Sequence, residues 1–178
     1  MTHFPAVNKW IIPQSAITDS LREMASDGLK GNEGVTLWLG NRVNNQAQIS
    51  HLVALRGQGI VKQPLLLVIR PSLLNKVTDL TIKYGVALIG QIHSHYGQNT
   101  DLSITDKTYG VAVPYYLSVV APYFALRSDL SIMDFGFHVF EPGKGYRRMA
   151  RKEILNRIQI VQDLKLPFLT VTGESNEK

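Results

Sequence analysis

The chain reads as an α/β (α+β) fold, a central and mostly antiparallel sheet flanked by helices. Three observations predict it. Short aliphatic and β-branched runs alternate with longer stretches whose apolar residues recur at helical spacing. Two early runs, Val35 to Leu39 and Ala47 to Leu55, are joined through Asn44-Asn45, a turn pair that makes them antiparallel neighbours. With 178 residues, 44% hydrophobic and 19% charged, the chain has the size and composition of one globular core.

The elements follow in order. Val7 to Ile12 is a short strand. Pro13-Gln14-Ser15 opens a helix with Ile17, Leu21, Met24 and Ala25 on one face, and Asp27-Gly28 ends it. After the antiparallel pair, Gly57 to Pro64 is a loop, marked by Gly57, Gly59 and Pro64. Leu65 to Ile69 is a buried strand. Pro71-Ser72 begins a helix with Leu73, Leu74, Val77 and Leu80 inward, capped by Ser72 and stopped by Gly85. Val86 to Ile92 is a second buried strand, followed by a short helix at Ser103. Tyr115 to Val120 and Met133 to Glu141 are strands, and Arg148 to Val161 is an amphipathic helix. Residues 1–165 form one domain, and 166–178 are expected to be a mobile C-terminal tail.

Composition narrows the chemistry. Zero cysteines exclude disulfides and thiolate metal sites, so a metal here must be held by histidine and carboxylate, and they suit a cytoplasmic protein. Met1 to Pro13 lacks the basic start and long apolar run of a secretory signal. The longest apolar block, Leu65 to Ile69, is far too short for a membrane span. The net charge is +5, with basic residues clustered at Lys144, Arg147, Arg148, Arg151 and Lys152. No nucleic-acid recognition motif accompanies them, so they read as a solvated helix face, and neither nucleic acid nor membrane is an expected partner. His51 and His138 alternate with apolar neighbours in strands and read as packed or surface residues.

The richest stretch is His93 to Asp106. His93 and His95 lie at the end of the second buried strand and point the same way, because strand side chains alternate faces. Seven residues later comes Ser103-Ile104-Thr105-Asp106, a helix start that places Ser103 and Asp106 on one face. By itself this tetrapeptide is an ordinary capping signature. Combined with the histidine pair it supplies two imidazoles and one carboxylate, a ligand set that zinc accepts with a fourth position left for water. A proton acceptor must come from elsewhere in the fold. Glu33, just before the Val35 strand, is the candidate, although a solvated acid is also ordinary at such a position.

Glu33, His93-Ser94-His95 and Ser103 to Asp106 stand at the spacing of the JAMM (MPN-plus) metalloprotease motif, and the chain resembles that family over roughly residues 7 to 160. Gly90, three residues before His93, also matches. Tyr96 and Leu102 stand where the family commonly has proline, and Thr36 replaces a frequent glycine. The resemblance implies an MPN/cytidine-deaminase-like architecture and one zinc ion per chain, with His93, His95 and Asp106 as metal ligands. It implies Glu33 as the general base and Ser103 as the oxyanion donor. It further implies cleavage of an isopeptide or peptide bond after the Gly-Gly-type tail of a ubiquitin-like protein, as precursor or conjugate, by a compact prokaryotic-type member, with a partner subunit possible. The loops Gly57 to Pro64 and Tyr96 to Thr100 are the candidate channel walls. Three alternatives stay open: a metal-free MPN scaffold, a related zinc hydrolase acting on another peptide or a sulfur-carrier conjugate, and a nucleic-acid-associated member similar to bacterial DNA-repair proteins that share this metal motif, for which the basic final helix is the only support.

Overall fold

Asn44 and Asn45 adopt φ of 50° and 62°, the left-handed pair that a tight two-residue hairpin requires. The hairpin joins β2 (Val35–Val43) to β3 (Gln46–Gly57), paired antiparallel from Thr36↔Ala54 to Val43↔Gln46. A bulge between Leu39 and Gly40 interrupts the ladder, and a Cβ at Gly40 would fall 1.8 Å from the Gln48 carbonyl oxygen. This hairpin is the spine of a computed structural model that describes residues 6–162 and 165–174.

Around it lie β1 (Lys9–Pro13), α1 (Gln14–Gly28), β4 (Ile60–Gln63), β5 (Leu66–Ile69), α2 (Pro71–Tyr84), β6 (Ala87–Ser94), α3 (Ile104–Tyr109), β7 (Leu117–Ala121), β8 (Gly136–Glu141), β9 (Gly145–Arg148), α4 (Arg151–Arg157), β10 (Ile158–Val161) and β11 (Phe168–Gly173). The central nine-stranded sheet runs β10-β1-β3-β2-β6-β7-β8-β9, with β11 also on β3. Pairings β2–β3, β2–β6, β7–β8 and β8–β9 are antiparallel; β6–β7 and the contacts of β1, β10 and β11 are parallel.

Helices cover both faces of the sheet, as its two apolar surfaces demand. The first face buries Trp10, Ile12, Trp38 and Leu52 against Ala16, Ile17 and Met24 of α1. There the Trp38 indole N–H donates to Ser20 Oγ at 3.0 Å, so the helix carries a partner for the one polar atom of that ring. The opposite face buries Val35, Leu37, Leu39, Val53 and Leu55 against Leu73 and Val77 of α2. Gly85, at φ 63°, ends α2 and turns the chain into β6.

Several expectations are corrected. The segment Gly57 to Pro64 is not all loop: Ile60–Gln63 forms β4, paired antiparallel with β5 in a separate two-stranded sheet. Leu65 to Ile69 is therefore not a buried central strand, and Leu65 at the hairpin tip is exposed. Ser72 does not cap α2; Arg70 holds that position without a side-chain bond, and Pro71 sets the first helical turn by its fixed φ. The last helix ends at Arg157. Its β-branched continuation, Ile158 to Val161, pairs in parallel with Trp10 to Pro13, so a strand partner overrides helical periodicity.

The tail expectation also fails in part. Phe168 to Gly173 pairs with Leu52 to Gly57 in parallel, and Val171 is buried. Residues 175–178 lie outside the described residues. The basic cluster is a solvated helix face only in part: Arg151 and Lys152 are exposed on α4, but the others lie before it. Arg147 and Arg148 lie on β9, where Arg147 binds Glu141 and Glu153 at 2.8 and 2.7 Å, and Arg148 binds Thr100 Oγ1 at 2.9 Å and Asp101. No helix among the described residues is long and apolar enough to cross a membrane.

Removing Phe168 to Lys178 uncovers the β3 edge and the apolar surface around Val171, Phe168 and Leu169. Thermal and urea unfolding of that truncation should show a loss of about 2–4 kcal/mol, the magnitude expected for one fully and two partly buried apolar side chains.

Candidate metal centre

The site forms where β6 ends. Val35↔His93 and Leu37↔Gln91 are cross-strand pairs, which puts Gln91 and His93 on the α2 face of the sheet. His93 is fully buried, the last inward side chain of the strand. His95 lies one residue beyond β6 but keeps the ladder, its N–H donating to the Ala121 carbonyl at 2.9 Å. The two Nε2 atoms lie 3.2 Å apart.

Asp106 arrives from the other side on α3. Ser103 is the N-cap: its Oγ accepts from the Asp106 N–H at 3.0 Å, and the Asp106 carboxylate accepts from the Ser103 N–H at 2.8 Å. The same carboxylate reaches both imidazoles, Oδ2 at 3.2 Å from His95 Nε2 and Oδ1 at 3.7 Å from His93 Nε2. Capping and clustering are thus one arrangement, because the reciprocal cap fixes the rotamer that aims the carboxylate at the histidines.

One donor atom from each of His93, His95 and Asp106 can be chosen within 4.8 Å of the others, a group able to hold a metal ion. A tetrahedral ion with bonds of roughly 2.0–2.1 Å would set its ligands about 3.3 Å apart. The imidazole pair at 3.2 Å and the His95–Oδ2 contact at 3.2 Å are close to that spacing, while His93 approaches the other carboxylate oxygen, Oδ1, at 3.7 Å. Burial opposes ionisation of Asp106, but hydrogen bonds from His93, His95 and Ser103 outweigh it and hold the carboxyl well below the usual carboxylate range. For His95, burial is likewise outweighed, by Asp106 and Glu33, and its pKa rises above the ordinary value.

Glu33 sits beside the cluster, only 5% exposed. Its position is set by backbone. The Ser94 N–H donates to the Gly34 carbonyl at 3.0 Å, and the Gly34 N–H donates to Ser94 Oγ at 2.9 Å. The Glu33 N–H is held by the Gln63 carbonyl of β4 at 3.0 Å. Burial raises the Glu33 pKa to about 7, with the His95 charge opposing and the Asp106 charge reinforcing the shift. Glu33 can therefore both accept and release a proton near neutral pH.

Residues that sequence reasoning passed over complete the shell. The Asn99 carbonyl lies 3.2 Å from His95 Nδ1. Gln91 Nε2 lies 3.2 Å from His93 Nδ1, and the Tyr116 hydroxyl donates to Gln91 Oε1 at 3.1 Å. Gln91 was hidden inside an apolar run; its phase, two residues before His93, was the available signal. The loop after His95 is pinned by Tyr123 to Ala125, three consecutive residues with φ of 55°, 55° and 59°. A left-handed turn costs roughly 1–2 kcal/mol per residue. Its amides engage the loop directly: Phe124 N–H donates to the His95 carbonyl at 2.7 Å and Tyr123 N–H to the Gly97 carbonyl at 2.9 Å. Gly28 makes room for it, since a Cβ there would lie 2.4 Å from the Phe124 oxygen.

The other two histidines among the described residues, His51 and His138, are not part of the cluster. His51 lies on β3, bonded to Ser50 Oγ at 2.8 Å and ring-packed on Tyr84. His138 is buried on β8 with neither ring nitrogen hydrogen-bonded, and burial, aided by the Arg148 charge, lowers its pKa to about 4.

Comparison with known proteins bears on the fold and on the family. No family model matches the chain. The fold is shared with the solution structure of protein DSY2949 from Desulfitobacterium hafniense, at a TM-score of 0.63 and 16% identity over 88% of this chain and 95% of that one. In sequence, the chain is similar to the probable metalloprotease y4jG of Sinorhizobium fredii, 31% identical over 116 residues that span 64% of this chain and 71% of the relative. The histidine–aspartate cluster is the chemistry that such a name requires, and the chain belongs to the metalloprotease family of that relative.

Proposed function

We propose that this chain is a JAMM-type zinc peptidase that hydrolyses the bond after the C-terminal tail of a ubiquitin-like protein, in a precursor or a conjugate. The observation that carries the reading is the convergence of His93, His95 and Asp106 with Glu33 buried beside them. The order and spacing of Glu33, His93, His95, Ser103 and Asp106 supply the motif. A bound zinc supplies a Lewis acid and a water acidified from about 15.7 to roughly 7.

The chain's own residues do the rest. His93, His95 and Asp106 hold the ion. Glu33 takes the proton from the attacking water and returns it to the leaving amine, a shuttle suited to a carboxyl with a pKa of about 7. Ser103 lies at the N-terminus of α3 beside Asp106, and its hydroxyl donates to the oxyanion of the tetrahedral intermediate. Between β5 and α3 runs a narrow cleft lined by Leu67, Ile69, Thr105, Asp106 and Tyr109. An extended tail with glycine beside the scissile bond suits so narrow an approach. The β4–β5 hairpin offers a strand edge for main-chain pairing.

Purified wild type should contain about one zinc per chain by elemental analysis, and His95→Ala should lose it. Against a panel of Gly-Gly-tailed fusions, Glu33→Ala should retain zinc and lose turnover. Ser103→Ala should retain zinc and slow kcat by about 10²–10³-fold, the effect of removing one oxyanion donor. A zinc-loaded wild type inert on every fusion would restrict the reading to some other peptide or conjugate.

Glu33 also predicts a pH signature in metal-stripped protein. Its folded pKa, about 7, lies above the ordinary 4.5, so the folded state holds the proton longer. Its contribution to stability is fully present below pH 4.5, falls as pH rises, and is gone above pH 7. Urea unfolding at pH 4.5 and 8 should therefore show Glu33→Gln gaining on wild type at the higher pH, by up to about 3 kcal/mol.

A further inference from the structure

Gln91 is an amide in a strand whose neighbours Ile89 and Ile92 are fully buried, and it is itself only 8% exposed. A buried amide needs partners for both ends. It has two: His93 Nδ1 at 3.2 Å and the hydroxyl of the fully buried Tyr116 at 3.1 Å.

A neutral imidazole has one protonated nitrogen and one lone pair. For His93 Nε2 to donate its lone pair to a cation, Nδ1 must carry the hydrogen, and that hydrogen needs an acceptor. His95 solves this with the Asn99 carbonyl. His93 has no carbonyl at Nδ1; the Gln91 side chain is its partner there among the described residues. As placed, the Gln91 NH2 faces His93 and its oxygen faces the Tyr116 hydroxyl; the oxygen and nitrogen of an amide occupy nearly the same positions, so the amide turned end for end fits the same distances. With the amide oxygen toward His93, the hydrogen stays on Nδ1, Nε2 is free, and the amide NH2 donates to the Tyr116 oxygen. With NH2 toward His93, Nδ1 becomes the acceptor, the hydrogen moves to Nε2, and the ring can no longer ligate.

We propose that Gln91, backed by Tyr116, is a positioning residue that sets the tautomer of His93 and so the affinity of the site for a divalent cation. The proposal rests on the metal site of the preceding subsection but not on the substrate assigned there. Gln91 lines the narrow cleft between β5 and α3, and its effect on the ion is exerted through one imidazole.

The test is zinc affinity by competition with a chromogenic chelator, beside ¹⁵N NMR of the His93 ring. Gln91→Met, which keeps the volume and removes the hydrogen bond, should bind zinc about 10–100-fold more weakly, the usual cost of losing such a partner. Gln91→Glu should recover wild-type affinity or exceed it, because a carboxylate accepts from Nδ1–H. Tyr116→Phe should weaken binding less than Gln91→Met. The NMR should report Nδ1–H in zinc-loaded wild type and a mixture of tautomers in metal-free Gln91→Met. Wild-type affinity in a folded Gln91→Met, or a Gln91→Glu as weak as Gln91→Met, overturns the proposal and leaves the metal site standing. If Gln91→Met does not fold, Gln91→Glu binding more weakly than wild type overturns it equally. A wild type that takes up no zinc overturns the metal site itself, and the proposal with it.

Discussion

The site depends on the pairing of β2 with β6 and on how that pairing closes. At its end Ser94 and Gly34 exchange two hydrogen bonds, one through backbone and one through the serine hydroxyl. Ser94 is the residue between the two histidines, and Gly34 follows Glu33 directly. A single junction therefore fixes the separation of the buried carboxyl from both imidazoles. Because Ser94 faces away from His93 and His95, it does this without occupying the cluster. Gly34 is itself tightly seated, since a Cβ there would come within 2.9 Å of the Met24 side chain. The first helix thus presses on the same junction from the opposite face.

The remaining carboxylate comes from a separate element held by local chemistry. A helix of six residues has little stability of its own. The reciprocal cap between Ser103 and Asp106 gives it a defined start, and the charge at Asp106 favours its positive end. Burial works against an ionised carboxyl, and the two imidazoles offset that cost. The result is a group of mutually dependent charges. None of the three side chains is in a comfortable environment without the others, and together they are the residues that would hold a cation.

Much of this was legible in the sequence because the relevant signals are local. Alternation put His93 and His95 on one face, the S-x-x-D signature announced the cap, and Asn44-Asn45 set the hairpin register. The misreadings share a physical cause. Ile158 to Val161 carries apolar residues compatible with a helix face, and only the distant β1 edge makes it a strand. Phe168 to Gly173 has no local feature to separate it from a polar tail until β3 offers it a ladder. Arg147 and Arg148 look like free surface charges because their acids lie on β8, on α4 and in the loop before α3. Gln91 is visible only once the strand's phase is tied to the metal. Long-range pairing, not propensity, decided each of these.

The manner in which the sheet is completed bears on synthesis. Trp10 pairs with Ile158, and Leu52 with Phe168, so one side of β1 and of Leu52 to Gly57 in β3 stays open until residues 158–173 have been made. A nascent chain can assemble the hairpin, the helices and the histidine strand while its flank still presents unpaired amides and carbonyls. Such flanks invite pairing with other chains, and contacts this distant in sequence form slowly. The vulnerable period for these edges is therefore the interval at the ribosome before residues 158–173 emerge.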